Sequence, residues 1–175
     1  MGNFWVFGYG SLMWRPGFDH CSVQKARVFG FHRALCVHSY VHRGTPEKPG
    51  LVLGLDRGGS CLGLAFEVSE DDGEAVLAYL RARELVTNVY LERSASVELA
   101  DGRRTKAIAY VVDRRHEQYA RRMDSKSAAE IVAGAEGQSG VNPDYVLSTL
   151  AHLRELGIRD RWLEDVGRRL TIAAA

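Results

Sequence analysis

Cysteine is scarce in this sequence: Cys21, Cys36 and Cys61 form an odd set with no CxxC or CxxH spacing. That excludes a disulfide framework, argues against a zinc cage, and makes a reducing compartment, the cytoplasm, the expected location. Long apolar runs are missing too. No stretch approaches the ~20 residues of a membrane span, so no membrane partner is expected. Residues 1–14 have no basic region ahead of their apolar positions and do not read as a secretory leader. Met1-Gly2 opens like an acylation signal, but Val6 stands where Ser or Thr is needed. Charge of one sign is also lacking. The 23 Lys and Arg against 22 Asp and Glu leave a net +1, which builds no field to hold a polyanion, so nucleic acid is not an expected partner. Only four prolines occur, and two of them fall in residues 42–50, which with Gly44 and Gly50 must be a loop.

What is present is the composition of an ordinary globular chain, 46% hydrophobic and 26% charged over 175 residues. It can bury a core without metal or disulfides, and residues 1–175 read as a single domain. β-branched and aromatic runs predict about six strands: residues 4–9, 26–40, 51–55, 61–68, 89–99 and 105–112. A capping box at Ser69 and Asp72 predicts a helix to about Val86, with Val76, Leu77 and Leu80 on its inner face. A second box at Ser127 and Glu130 predicts a short helix ending at Gly134 or Gly137. Asn142 as N-cap, with Pro143 and Asp144 behind it, predicts a third, striped by Leu147, Leu150 and Leu153 and stopped at Gly157. A fourth runs over residues 160–170. Strands and helices do not alternate, so the expected class is α+β: a small mixed or antiparallel β-barrel with surrounding helices.

Few residues carry candidate chemistry. Gly8 and Gly10 flank Tyr9 at the end of the first strand, and a glycine loop with positive φ can turn successive N–H groups into an anion-binding nest, while a plain tight turn is the commoner reading of the same residues. The Gly-Lys-Ser of a phosphate loop is absent, and a nucleophile elbow around Ser11 would need glycines where Tyr9 and Met13 stand. On the first helix the apolar stripe reaches Leu80 and one turn later meets Glu84, a carboxylate facing inward in the last turn. Burial and the helix dipole both raise its pKa toward that of a useful base. A structural ion pair with Arg81 or Arg83 is the competing role. His38 and His42, four apart on extended chain, would be about 13 Å from each other, too far to share a metal, so no metal ligands are assigned. Arg114, Arg115, Arg121 and Arg122 around Tyr119 read as a solvated face. Arg43 in the Pro/Gly loop either pairs with Glu47 or answers a carboxylate ligand under a closing loop.

Four segments together resemble a known family. Phe7-Gly-Tyr-Gly-Ser-Leu-Met-Trp14, Ser39-Tyr-Val-His-Arg-Gly-Thr45 with Pro49-Gly50, Tyr79-Leu-Arg-Ala-Arg-Glu-Leu85, and Gly137-Gln-Ser-Gly-Val-Asn142 with Tyr145 are similar, in order and over almost the whole chain, to the ChaC-like gamma-glutamylcyclotransferases. The resemblance implies a glutathione-specific lyase that releases 5-oxoproline and cysteinylglycine and needs no metal or organic cofactor. It places substrate-binding positions at Tyr9, Gly10, Ser11 and Leu12 and the acid/base at Glu84. Asn88-Val89-Tyr90 stands where the family usually has Gly-Gly-Tyr. Arg43 is a further candidate, for the terminal carboxylate of the substrate. The alternatives are a cyclotransferase for other γ-glutamyl amino acids or γ-glutamylamines, a non-catalytic binding module on the same fold, and a metal hydrolase. Oligomeric state is not readable from these residues.

Overall fold

The computed structural model describes residues 2–175. Met1, where the expected single domain and the discarded acylation signal both begin, lies outside them. Backbone contacts divide the chain into two compact units. One comprises the residues before Ala34 together with Leu55–Asp113; the other comprises Ala34–Gly54 and Arg114–Ala175.

The first unit carries β1 (Phe4–Gly8), a one-turn 3-10 helix (Ser11–Met13), α1 (Gly73–Glu84), β4 (Tyr90–Leu99) and β5 (Arg104–Val112). Two long strands, β2 (Ser22–Ser39) and β3 (Gly50–Val68), have residues in both units. The five strands close into a barrel in the order β1-β3-β2-β4-β5. β1 is antiparallel to β3, with Phe7 opposite Ala65, and parallel to β5, with Val6 opposite Ile108. β4 is antiparallel to both β2 and β5. The barrel is therefore mixed, as the residue pattern leads one to expect. Val6, Phe7, Val28, Leu55, Val68, Val97 and Ala109 are all buried; because successive side chains on a strand point to opposite faces, the adjacent Val6 and Phe7 show that β1 is covered on both.

Two strands expected separately, residues 51–55 and 61–68, are one. Asp56-Arg-Gly-Gly-Ser60 reads as a turn, but Gly58 (φ +105°) and Gly59 (φ +68°) adopt conformations that bend a strand without ending it. β2 begins at Ser22, four residues earlier than its apolar run suggests. α1 begins at Gly73. The Ser69 hydroxyl donates to Asp72 Oδ2 at 2.7 Å and accepts from Asp72 N at 3.2 Å, so this pair makes a local turn ahead of the helix instead of a capping box. The helix ends at Glu84, short of the exposed Val86.

The second unit holds α2 (Ser125–Ala133), a two-residue hairpin of β6 (Glu136–Gly137) and β7 (Gly140–Val141), α3 (Asn142–Glu155) and α4 (Arg161–Ala173). α2 is capped by Asp124, whose Oδ1 accepts from Ser127 N at 2.7 Å, which corrects the box expected at Ser127 and Glu130; Gly134 ends it as expected. Asp160 caps α4 through Leu163 N at 3.0 Å. On α3 the buried set is Asn142, Val146, Thr149 and Leu153, and the predicted Leu147 is 40% exposed. The shift follows from Asn142. It is not an N-cap but the first helical residue, fully buried, and its amide pairs with the main chain of Leu51: Oδ1 accepts from the N–H at 2.7 Å and Nδ2 donates to the C=O at 2.9 Å. Tyr145 Oη accepts from Leu53 N at 3.0 Å one turn later. A side-chain amide thus does for the strand what a neighbouring strand would do, and it sets which face of α3 turns inward.

Candidate active site

The candidate residues of the first unit come from two places, the segment following β1 and the last turn of α1. β1 ends at Gly8, where a Cβ would meet the Leu12 side chain at 3.2 Å and Met13 N at 3.4 Å. A larger residue would push the chain out of its turn. The expected mechanism for these glycines is corrected: Gly10 has φ −135° and Gly8 is not in the positive-φ region either, so the loop is not a nest of alternating φ. Gly8 instead permits close approach, and the chain runs into the 3-10 turn, whose first internal hydrogen bond is Met13 N to Gly10 O at 2.9 Å. The amides of Ser11 and Leu12 stand ahead of that bond, in the position where every helix start leaves donors over. Tyr9 and Leu12 are buried and Ser11 is exposed.

Tyr9 is held from behind by an arginine that sequence reasoning overlooked. Arg33 on β2 is only 4% exposed, and it donates from Nε to Tyr9 O and from Nη2 to Leu62 O, both at 2.6 Å. Its signal in the sequence is a lone charge inside the apolar run of a strand. A buried guanidinium is tolerable only when its donors are occupied, so both carbonyls are fixed where they lie.

Glu84 closes α1 with a side chain 17% exposed. Burial pushes its carboxyl above the usual carboxylate range, and the neighbouring Arg83 guanidinium pulls it back in part. Of the two arginines weighed as ion-pair partners, Arg81 turns away and binds both oxygens of Glu92 on β4 at 2.9 Å. Arg83 does meet Glu84, with Nε 3.3 Å from Oε1. Arg83 also donates from Nη2 to Ser11 Oγ at 3.0 Å and from Nη1 to Arg15 O at 2.6 Å and Tyr79 Oη at 3.1 Å. One guanidinium thus ties the carboxylate at the end of α1 to the 3-10 turn after β1. On β5 the buried Tyr110 donates its hydroxyl to Glu92 Oε2 at 3.0 Å, and burial, Glu92 and Glu84 keep that phenol protonated well above its ordinary range. After α1, Asn88 takes φ +57°, the left-handed conformation that glycine adopts without cost and that asparagine tolerates best among the other residues. The departure from Gly-Gly-Tyr therefore keeps a residue suited to that turn.

Arg43 belongs to the second unit. Its Nη1 donates to Val141 O at 3.1 Å, its guanidinium carbon lies 5.7 Å from the centre of the Tyr145 ring, and its N–H donates to Ser39 Oγ at 2.9 Å. The loop that bears it is anchored: Gln138 N donates to Val41 O at 2.8 Å and Ser139 N to His42 O at 2.9 Å, and Gly137 packs so tightly on this backbone that a Cβ would fall 2.6 Å from Gly44 N. Among the described residues no group of three His, Cys, Asp or Glu side chains is placed to hold a metal, and no helix is long and apolar enough to cross a membrane.

The chain as a whole is similar to known proteins. The model of the family described as ChaC-like protein matches residues 4–172. The glutathione-specific gamma-glutamylcyclotransferase of Escherichia coli is 36% identical over 165 residues, which cover 94% of this chain and 71% of that protein. Glutathione-specific gamma-glutamylcyclotransferase 1 of Homo sapiens is 32% identical over 147 residues, 82% of this chain and 66% of that one. Among solved structures, a gamma-glutamylcyclotransferase specific to glutathione from yeast superposes with a TM-score of 0.85 at 21% identity, over 98% of this chain and 96% of that one, which establishes the same fold.

Proposed function

The chain belongs to the ChaC-like family, and from that premise we propose that it is a glutathione-specific γ-glutamylcyclotransferase, with Glu84 as its acid/base and the Tyr9, Gly10, Ser11 and Leu12 segment as its substrate-binding backbone. The observation that carries the reading is the inward carboxylate at the end of α1, raised in pKa by burial and joined through one arginine to the turn after β1.

The chemistry asks little more of the protein. A γ-glutamyl amide holds its own nucleophile: the α-amino nitrogen attacks the γ-carbonyl carbon and closes a five-membered lactam. The bond to the cysteinyl nitrogen breaks, and 5-oxoproline and cysteinylglycine separate. Before attack the α-ammonium must lose a proton, and the departing amine must gain one. Glu84 serves both steps, accepting and then returning the proton, a role that suits a carboxyl held above its ordinary range by burial. The Ser11 and Leu12 amides are the donors proposed for the substrate's carboxylate or the developing oxyanion, each well-aimed donor being worth about 3 kcal/mol. Holding the folded-back conformer supplies the rest of the acceleration. For Arg43 the proposed role is recognition of the terminal carboxylate of glutathione.

The test is direct. The purified protein incubated with glutathione should release 5-oxoproline and cysteinylglycine in equal amounts, and γ-glutamyl amino acids or γ-glutamylamines should be poorer substrates. Release of free glutamate would mean hydrolysis and would overturn the cyclisation; a preference for γ-glutamylamines would overturn the specificity.

A further inference from the structure

We propose that Arg83 is a positioning residue of this reaction: its single planar guanidinium sets the Glu84 carboxylate and the Ser11 turn in one mutual geometry, so that the proton carrier and the backbone donors are assembled as a unit. The inference rests on the reading of Glu84 as the acid/base. Arg83 addresses five groups from three sides. Nε faces Glu84 Oε1 at 3.3 Å, Nη2 faces Ser11 Oγ at 3.0 Å, and Nη1 reaches Arg15 O at 2.6 Å, Pro16 O at 3.3 Å and Tyr79 Oη at 3.1 Å. Ser11 starts the 3-10 turn, while Arg15 and Pro16 follow it, so the guanidinium grips the turn at both ends. Gly17 (φ +72°) follows, packed so closely on Tyr79 that a Cβ there would collide with the phenol oxygen. The 15–17 segment is thereby held against α1 from a second direction.

Only arginine fits this arrangement. A lysine ammonium supplies the charge and three donors at one point, but it cannot span a carboxylate, a hydroxyl and two carbonyls set around a fork. A surface ion pair between neighbouring residues would ordinarily contribute little. Here the Arg83 side chain is 24% exposed and three of its partners, Ser11, Arg15 and Pro16, are 67 to 72 residues away in sequence, so its loss frees a turn as well as a charge. The charged and titratable groups facing Glu84 are Arg83 on its own helix and Tyr110 from β5, the latter bonded to Glu92 of β4, which Arg81 neutralises. Removing Arg83 therefore removes the one cation, among the described residues, that opposes the effect of burial on Glu84.

The experiment compares wild type, Arg83→Met and Arg83→Lys in three measurements: melting temperature, kcat and KM for glutathione, and the titration of Glu84 followed by carboxyl carbon NMR, with Glu84→Gln to assign the signal. In Arg83→Met, kcat should fall by about 10²-fold, the scale of a misplaced catalytic group, and the Glu84 titration and the acidic limb of kcat/KM should move together to higher pH. Arg83→Lys should restore the titration toward wild type and leave kcat depressed, because charge returns without the fork. A folded Arg83→Met with unmoved titration and near-normal kcat overturns the proposal, as does an Arg83→Lys of wild-type kcat. Should Arg83→Met not fold, the Lys variant decides alone by the same criterion. The functional reading fails separately, if wild type releases no 5-oxoproline; the NMR titration needs no turnover and still judges whether Arg83 sets Glu84.

Discussion

Replacing Glu84 by glutamine separates a catalytic carboxylate from a structural one, because the two roles predict opposite responses. Size and most hydrogen-bonding capacity are kept, and the ability to accept and return a proton is lost. The positioned proton carrier is worth about 10²- to 10⁴-fold in rate, or roughly 3–5 kcal/mol of barrier at about 1.4 kcal/mol per factor of ten. The loss should fall on kcat, since the proposed carboxylate contacts are backbone donors that the substitution leaves in place. Stability should move the other way. The folded-state pKa of Glu84 is raised, first by burial and against the pull of Arg83. An acid so shifted favours the folded state while it is protonated, and that advantage is lost as pH rises from the unfolded value through the folded one. Wherever Glu84 is ionised, it is a charge that burial in the fold disfavours, and glutamine removes it. Arg83 is not orphaned, because Ser11 Oγ, Arg15 O and Tyr79 Oη still accept from it. The melting temperature should therefore hold or rise, and the acidic limb of kcat/KM in wild type, lying above the ordinary carboxylate range, should disappear in the variant. The assay is 5-oxoproline release and thermal melting on one preparation across pH. A folded glutamine variant with near-normal turnover, or a loss of activity that only tracks a lowered melting temperature, would refute the assignment.

Other substitutions test the remaining contacts. Arg43→Ala should raise KM for glutathione more than for γ-glutamyl compounds lacking a terminal carboxylate; an equal loss on both would reduce Arg43 to its bonds with Val141 and Tyr145. Asn142→Ala strips partners from the N–H and C=O of Leu51 and should cost about 2–4 kcal/mol, a fall of roughly 5–12 °C in melting temperature, with a loss under about 0.5 kcal/mol showing that the strand finds other partners. Treatment with EDTA should leave turnover unchanged, since proton transfer by Glu84 asks for no Lewis acid; inactivation reversed by zinc would contradict the mechanism.

Much of this protein can be read along the chain because the relevant forces act locally. Alternating strands, the helix after Ser69 and the polar loop at residues 42–50 follow from side-chain periodicity and turn chemistry. Glu84 was identifiable for the same reason, as a carboxylate at i+4 from Leu80 on an otherwise apolar stripe. Local chemistry misled where long-range pairing outweighed it. Asp56-Arg-Gly-Gly-Ser60 has the residues of a turn, but barrel closure keeps it in one strand, and the glycines absorb the bend. The Leu147, Leu150 and Leu153 stripe is a sound helical period, yet Asn142 turns a different face inward because its amide must satisfy Leu51, 91 residues away. The glycines after β1 suggested positive φ, and close packing of Gly8 against Leu12 decided otherwise. Arg33 and Arg83 are two among the 23 Lys and Arg residues of the sequence. Folding alone distinguishes them, because it brings Tyr9 O to Arg33, 24 residues back along the chain, and Ser11 to Arg83, 72 residues back. A guanidinium's role is set by which acceptors the fold delivers to its five donors, and no pattern of neighbours in sequence records that.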